Sequence, residues 1–364
     1  MKILLLLTSV FGLTGGVHAF NRALIKATDD LASDFGLDPT VLSLLDDEVP
    51  FQSAADYMSS GRTRYRGFKG NKTQFVAAAL LAGCRANRVV FGHVNFSSLA
   101  CWMPRPIKSL VVHGIEVWRP LPALQKLGIS QMREILCVSE YTQDAFVHFN
   151  GMPPVQFRLL PNTLDPFYSR MADGVRPATE LGLPRGHMML AVTRLLSTED
   201  YKGIDLVIKA MPAIARHVPD AFCVVVGHGG DRPRLEKLAQ DTGVAGRVIF
   251  TGFVADELLP SYYDACDLFV LPSTKEGFGI VFLEAMYHAK ACVGAIAGGI
   301  PEVVKNGESG LLARPSSVES FVQCVVSLLG NGQERDAMGR RGKQRLEREF
   351  SYEKFRARLE RVLC

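Results

Sequence analysis

The sequence predicts an α/β protein built from two parallel-sheet domains, and three observations predict it. Short apolar runs alternate with helical patterns almost throughout, as parallel strands wrapped by helices require. The alternation lapses once, around residues 165–185, where Pro166, Gly174, Pro177, Gly182 and Pro184 make loop-like sequence. The chain's 364 residues also suit two domains of roughly 150–200 residues each better than one. Before the lapse the candidate strands are residues 3–7, 41–45, 89–92, 110–113, 135–138 and 156–160. After it they are 188–193, 221–227, 248–251, 268–271, 291–295 and 310–313. The two series do not look like sequence repeats. A charged helical segment closes the chain over 331–364, with apolar positions at Phe350, Phe355, Leu359 and Leu363.

Apolar residues make up 48% and charged residues 21%, which supplies two cores and is not a disordered composition. A formal charge of +4 gives no reason to expect nucleic acid, and it is compatible with anionic substrates or lipid head groups. Cysteines 84, 101, 137, 223, 266, 292, 324 and 364 form no C-x-x-C and pair with no histidine at metal spacing. Most lie in apolar runs, so free, buried thiols in a cytoplasmic protein are expected rather than disulfides. The N-terminus admits two readings. Residues 1–19, ending in Val17, His18 and Ala19, imitate a signal peptide with a small-residue cleavage site. A buried strand over 3–7, a glycine-containing loop and a helix from about Gly16 are favoured, because Thr8, Ser9, Gly12, Thr14, Gly15 and Gly16 interrupt the apolar run. No later stretch reaches the ~18–20 apolar residues that a bilayer span needs.

Open parallel sheets bind ligands beyond the carboxyl ends of their strands. That rule selects Thr14, Gly15 and Gly16, then Gly92 and His93, His113 and Gly114, Arg194, and residues 227–230, 252–254, 272–276 and 298–302. The densest group is Glu276-Gly277-Phe278-Gly279-Ile280-Val281-Phe282-Leu283-Glu284, with Glu276 in a loop after a strand and Glu284 in the first turns of a helix. Its glycines let a ligand approach the backbone at a helix N-terminus, an anion-binding arrangement. A carboxylate there can accept hydrogen bonds from two vicinal hydroxyls, such as those of a ribose; otherwise the two acids only complement the helix dipole. Arg194 follows a strand, and Lys202-Gly203 opens an amphipathic helix over 204–216. A guanidinium fork and an ammonium point charge at such a junction suit a diphosphate.

Taken in order, Arg194, Lys202-Gly203, Gly227-His228-Gly229, Gly252-Phe253-Val254, the Glu276 to Glu284 segment and Gly298-Gly299-Ile300-Pro301-Glu302 resemble the large GT-B family of retaining glycosyltransferases that includes phosphatidylinositol mannosyltransferases. The resemblance covers essentially the whole chain and is strongest over 188–315. It implies two Rossmann-like domains facing across a cleft: an acceptor-side domain over 1–165, a linker over 166–185 and a nucleotide-sugar domain over 186–345. It also implies a C-terminal helix, 346–364, that crosses back to the first domain. Carried over by position, Glu276 contacts the donor sugar, Glu284 binds the ribose, and Arg194 and Lys202 neutralise the diphosphate. The backbone of Phe278, Gly279, Ile280 and Val281 touches sugar and phosphates, while Gly252, Phe253 and Val254 border the nucleobase. Gly15 and Gly16 look like the family's glycine loop. His113-Gly114-Ile115-Glu116-Val117 resembles its H-G-x-E-x segment, whose histidine lies beside the reacting sugar.

Expectations about the reaction follow. Breaking a glycosyl–phosphate bond builds negative charge on the leaving diphosphate, which Arg194, Lys202 and nearby N–H groups can stabilise. With no D-x-D in the chain, neither metal nor other cofactor is expected to be required. Retention of configuration comes from the resemblance, by front-face attack. The expected donor is a GDP- or UDP-sugar, GDP-mannose first because of the H-G-x-E-V match, and the acceptor a glycan or lipid-linked sugar. Arg62, Arg64, Arg66, Lys69 and Lys72 form a basic run with no intervening acid, followed by an apolar helix over 75–81; a solvated helix face is one reading, and peripheral contact with anionic membrane at the inner face of the plasma membrane is the other. A non-catalytic nucleotide-sugar-binding protein and a sugar-nucleotide epimerase are the competing readings.

Overall fold

The computed structural model describes residues 1–12, 15–47 and 52–364, so Thr14 lies outside the described residues. The chain divides into two compact units: Met1–Pro166 with Phe350–Cys364, and Phe167–Glu349.

The first unit is organised by β1 (Lys2–Leu7), β2 (Asp38–Ser43), β3 (Arg64–Gly67), β4 (Arg88–Phe91), β5 (Ile107–Val112), β6 (Glu134–Cys137) and β7 (Gln156–Leu159). They form one sheet in the order β3-β2-β1-β4-β5-β6-β7, every pairing parallel. Ile3, Leu4, Leu5, Leu6 and Leu7 are buried because β1 is central and covered on both faces. The signal-like apolar run is therefore a core strand. The helix Gly16–Phe35 packs on the sheet through an apolar face that includes Phe20, Leu24 and Leu31. In the C-terminal segment, the helix Tyr352–Leu363 buries Phe355, Leu359, Val362 and Leu363. Phe355 meets Phe20 edge to face at 5.4 Å, Tyr352 donates to Asp30 at 2.5 Å, and Arg356 pairs with Asp34.

The solvated-helix reading of the basic run does not hold for its middle: Arg64–Gly67 is the edge strand β3. The reason is its period of two. Arg64 and Arg66 are exposed, while Tyr65 between them is half-buried and donates its hydroxyl to Asp46 at 2.6 Å. Charged edge strands of this kind resist pairing with another chain. Arg64 pairs with Asp38 at 2.8 Å, and the guanidinium of Arg66 lies over the Phe68 ring. The helix begins only at Lys72 and runs to Gly83.

In the second unit β8 (Met188–Val192), β9 (Phe222–Val226), β10 (Val248–Gly252), β11 (Leu268–Val270), β12 (Ala291–Ala295) and β13 (Gly310–Ala313) form a sheet in the order β10-β9-β8-β11-β12-β13. All its strand pairings are parallel. Its core joins Met189, Val225 and Val270 of the strands to Val207, Met211, Phe321 and Val325 of the helices Ile204–His217 and Val318–Leu329. The eight cysteines are free; Cys137, Cys223, Cys266 and Cys292 are buried as expected, whereas Cys84 and Cys364 are exposed. No helix among the described residues is long and apolar enough to cross a membrane.

Both sheets reverse strand order beside their first strand, between β1 and β4 and between β8 and β11. Such switch points open a crevice at the carboxyl ends of the strands.

Candidate functional site

In the second unit, charged side chains meet at the β8/β11 switch point. Arg194 follows β8, and a turn over Ser197–Lys202 carries Glu199, Tyr201 and Lys202 to the start of the helix Ile204–His217. The loop after β11 carries Glu276. Lys202 Nζ lies 2.6 Å from Glu276 Oε1, with the side chains only 17% and 12% exposed. The two loops are also tied through the backbone, Thr274 N–H donating to the Tyr201 carbonyl at 2.8 Å. Arg194 bonds Glu199 at 2.5 Å but is 65% exposed, a guanidinium held at one end and open to solvent along most of its surface. Burial, with Glu199 and Glu276 nearby, pushes the Tyr201 hydroxyl up to about 12, so it stays a neutral donor.

Gly298 sets the backbone of Glu276. Gly299 N–H donates to the Glu276 carbonyl at 2.8 Å. A Cβ at Gly298 would stand 2.3 Å from that carbonyl oxygen, at a φ of +58. Only glycine lets the chain after β12 lie so close to the acidic loop. Gly279, at φ +90, caps the helix Ile280–Tyr287, whose first turn starts directly after the Glu276 loop. Phe278 and Ile280 are buried and Val281 is half-buried, so their side chains anchor the turn while their peptide groups form its rim. Glu284, one turn further on, accepts from the Tyr263 hydroxyl at 2.6 Å. Burial and the Glu284 charge hold that phenol well above its ordinary value, so it remains a donor.

At the end of β10, the Gly252 carbonyl accepts from Gly227 N–H at 2.9 Å. Phe253 beside it is 58% exposed and meets His228 edge to face at 5.8 Å. Val254 is half-buried.

Gly15, Gly16 and His113 belong to the first unit. Gly15, at φ +132, precedes the helix Gly16–Phe35, and its carbonyl accepts from His18 and Ala19. The loop after β1 is pinned by Asp46, which accepts from Ser9 Oγ, from the N–H groups of Val10, Phe11 and Gly12, and from Ser43 Oγ and the Tyr65 hydroxyl. Burial pushes the Asp46 carboxyl up, but the hydrogen bonds outweigh it and hold the group below the usual carboxylate range. His113 follows β5; its N–H donates to Glu116 Oε1 at 2.5 Å and its Nε2 lies 2.9 Å from the Gly92 carbonyl.

Sequence reasoning missed Tyr201, Glu199 and Tyr263 as partners of the charged residues, and it missed Asp46. Tyr263 and Glu284 are 21 residues apart in different helices, a separation without periodic signal.

The sequence and fold place the chain among known proteins. A family model described as glycosyl transferases group 1 matches residues 186–345. A GDP-mannose-dependent monoacylated alpha-(1-6)-phosphatidylinositol monomannoside mannosyltransferase from Corynebacterium glutamicum is 31% identical over 69% of this chain and 68% of its own length. The alpha-(1-6)-phosphatidylinositol monomannoside mannosyltransferase of Mycobacterium tuberculosis is 32% identical over 68% of this chain, and the match spans only 66% of that relative. Among solved structures, sucrose-phosphate synthase from Thermosynechococcus elongatus aligns with a TM-score of 0.79 at 19% identity over 100% of this chain and 98% of its own. Anabaena HepE, solved with UDP and glucose, gives 0.79 at 20% identity over 100% and 99%. The fold is GT-B. The chain belongs to the group 1 glycosyl transferases.

Proposed function

We propose that the chain is a retaining glycosyltransferase that moves a hexosyl group, mannosyl from GDP-mannose, onto a glycan or lipid-linked acceptor. The observation that carries this reading is the Lys202–Glu276 contact at the switch point, beside Arg194 and the Gly279-capped helix. It puts a cation for a leaving diphosphate and a carboxylate for a sugar in direct contact. Charge then does most of the chemistry. As the glycosyl–phosphate bond breaks, Lys202, Arg194 and the first N–H groups of the helix stabilise the departing diphosphate. Glu276, held by Lys202, orients the sugar hydroxyls, and Glu284, held by Tyr263, binds the ribose. In the first unit, His113 takes the role that the family resemblance gives it, contact with a sugar substrate. The attacking hydroxyl enters on the side the diphosphate leaves and passes its proton to the departing phosphate oxygen, which retains configuration, and neither metal nor cofactor takes part.

The GDP-mannose dependence of the Corynebacterium and Mycobacterium relatives supports GDP-mannose, whereas the UDP bound by HepE supports a UDP-sugar as the second choice. A cytoplasmic location with peripheral contact to anionic lipid rests on Arg62, Arg66, Lys69 and Lys72, all exposed, beside exposed Leu81; sedimentation with anionic vesicles tests it.

The deciding experiment screens nucleotide sugars for thermal stabilisation, then follows product with candidate acceptors, with and without EDTA. GDP-mannose is expected to stabilise most and to yield an α-linked product in both conditions. A chain that no nucleotide sugar stabilises refutes the proposal, and turnover of donor without acceptor would point to an epimerase.

A further inference from the structure

β4 and β5 are adjacent parallel strands, and each releases a histidine just past its carboxyl end, His93 and His113. The turn after β4 is tight: a Cβ on Gly92 would stand 2.5 Å from Leu7 Cδ2 and 3.0 Å from the Leu6 carbonyl. Its carbonyl is therefore held in place, and it meets His113 Nε2 at 2.9 Å. A carbonyl only accepts, so Nε2 of His113 carries the proton and Nδ1 of the neutral ring carries a lone pair.

His93 is set the opposite way. Its Nδ1 accepts from Asn95 N–H at 3.1 Å, which puts the proton of the neutral ring on Nε2. Phe20 braces His113 edge to face at 4.9 Å, and the two imidazole centroids are 6.4 Å apart with a 30° tilt. Neither His93 Nε2 nor His113 Nδ1 has a hydrogen-bond partner among the described residues. Burial and neighbouring His113 lower the His93 pKa against the pull of Glu116, which keeps that ring neutral. The pair thus offers one fixed donor and one fixed acceptor, on rings whose centroids lie 6.4 Å apart.

A hydroxyl accepts and donates at once; a phosphate or carboxylate cannot donate to Nδ1, and an ammonium cannot accept from Nε2–H. We propose that His93 is a substrate-binding residue that, with His113, holds a single hydroxyl of a sugar substrate. This rests on the glycosyltransferase reading above. The hydroxyl belongs to the donor sugar or to the acceptor, and the test separates the two.

The test is steady-state kinetics of His93→Leu, His93→Gln and His113→Leu with GDP-mannose, or UDP-glucose if that is the donor turned over. Singly deoxygenated donors and acceptors form two further series. His93→Leu removes the N–H and should lower kcat/KM about tenfold, whereas His93→Gln, which keeps a donor, should stay within about threefold of the parent. One deoxy sugar should lose about tenfold with the parent protein and nothing more with His93→Leu. Its series, donor or acceptor, identifies the hydroxyl. Long-range ¹⁵N–¹H spectra should show both rings as Nε2–H tautomers. Penalties that multiply for every analogue in both series overturn the proposal. So does a loss in His113→Leu with none in His93→Leu, or an equal loss in Leu and Gln variants accompanied by a lowered Tm. Absence of transfer by the parent protein itself would instead sink the function proposed above.

Discussion

Replacing Lys202 with methionine removes the ammonium that lies 2.6 Å from Glu276 and keeps most of the side-chain length. Glu276, its side chain 12% exposed, then keeps a charge with no cation beside it. A hydrogen bond to a charged group is worth about 1.5–3 kcal/mol, and orphaning one member of a fully buried pair costs about 3–5 kcal/mol. Both side chains retain some exposure, which places the expected loss near the lower range, about 2 kcal/mol. For a unit of this size that corresponds to a Tm lower by about 4–8 °C. Calorimetry of Lys202→Met, Glu276→Gln and the double variant closes a cycle. Neutralising Glu276 as well should recover about 1–2 kcal/mol relative to the sum of the single effects. Lys202→Met should also weaken nucleotide-sugar binding, since the proposed mechanism sets its ammonium against the diphosphate. Coupling below about 0.5 kcal/mol would refute the reasoning, because independent sites add to within that margin.

Three further outcomes are expected. Glu284→Gln should chiefly raise the donor KM and Glu276→Gln chiefly lower kcat, because ribose changes little along the reaction and the sugar changes most; Tyr263→Phe should mimic Glu284→Gln more weakly, and the reverse pattern would mean the donor lies the other way round. Gly298→Ala should lower activity at least as much as Glu276→Gln, because the added Cβ has no room against the Glu276 carbonyl; near-parent kinetics would contradict that placement. His288, stacked on Tyr263 at 5.8 Å, is pulled down to about 4 by burial against the pull of Asp264. Its folded value lies below the unfolded one near 6.5, so the unfolded chain takes up the proton first and acid destabilises the fold between those values, by up to about 3 kcal/mol. His288→Gln should flatten that part of the pH–stability curve, and an unchanged curve would remove His288 as its source.

Much of this was legible because buried parallel strands are written as apolar runs. Residues 291–295 and 310–313 were read as strands, and the structure has β12 and β13 there. β3 was illegible by the same logic: an edge strand of four residues with two exposed arginines has no apolar run to show. The charged residues proposed for the site lie at strand ends, where sheet topology puts a ligand crevice. Their partners were not legible. Lys202 and Glu276 are separated by 74 residues and Asp46 lies 34–37 residues from the loop it pins, so these contacts exist only once the sheets close. The histidine pair was half-visible: His113 came from its motif, while His93 stood at another strand end with nothing in the sequence to reveal its tautomer.

The discontinuity of the first unit has a consequence for synthesis. Phe167–Glu349 is contiguous and can close as soon as it leaves the ribosome, whereas the unit begun by Met1 needs Phe350–Cys364 to complete it. Until those residues emerge, Phe20 lacks its partner Phe355, and Asp30 lacks Tyr352. The domain translated first is therefore finished last. A stop codon just before Phe350 would leave the later domain whole and the earlier one with an exposed apolar flank, making it the natural target of chaperones and proteases.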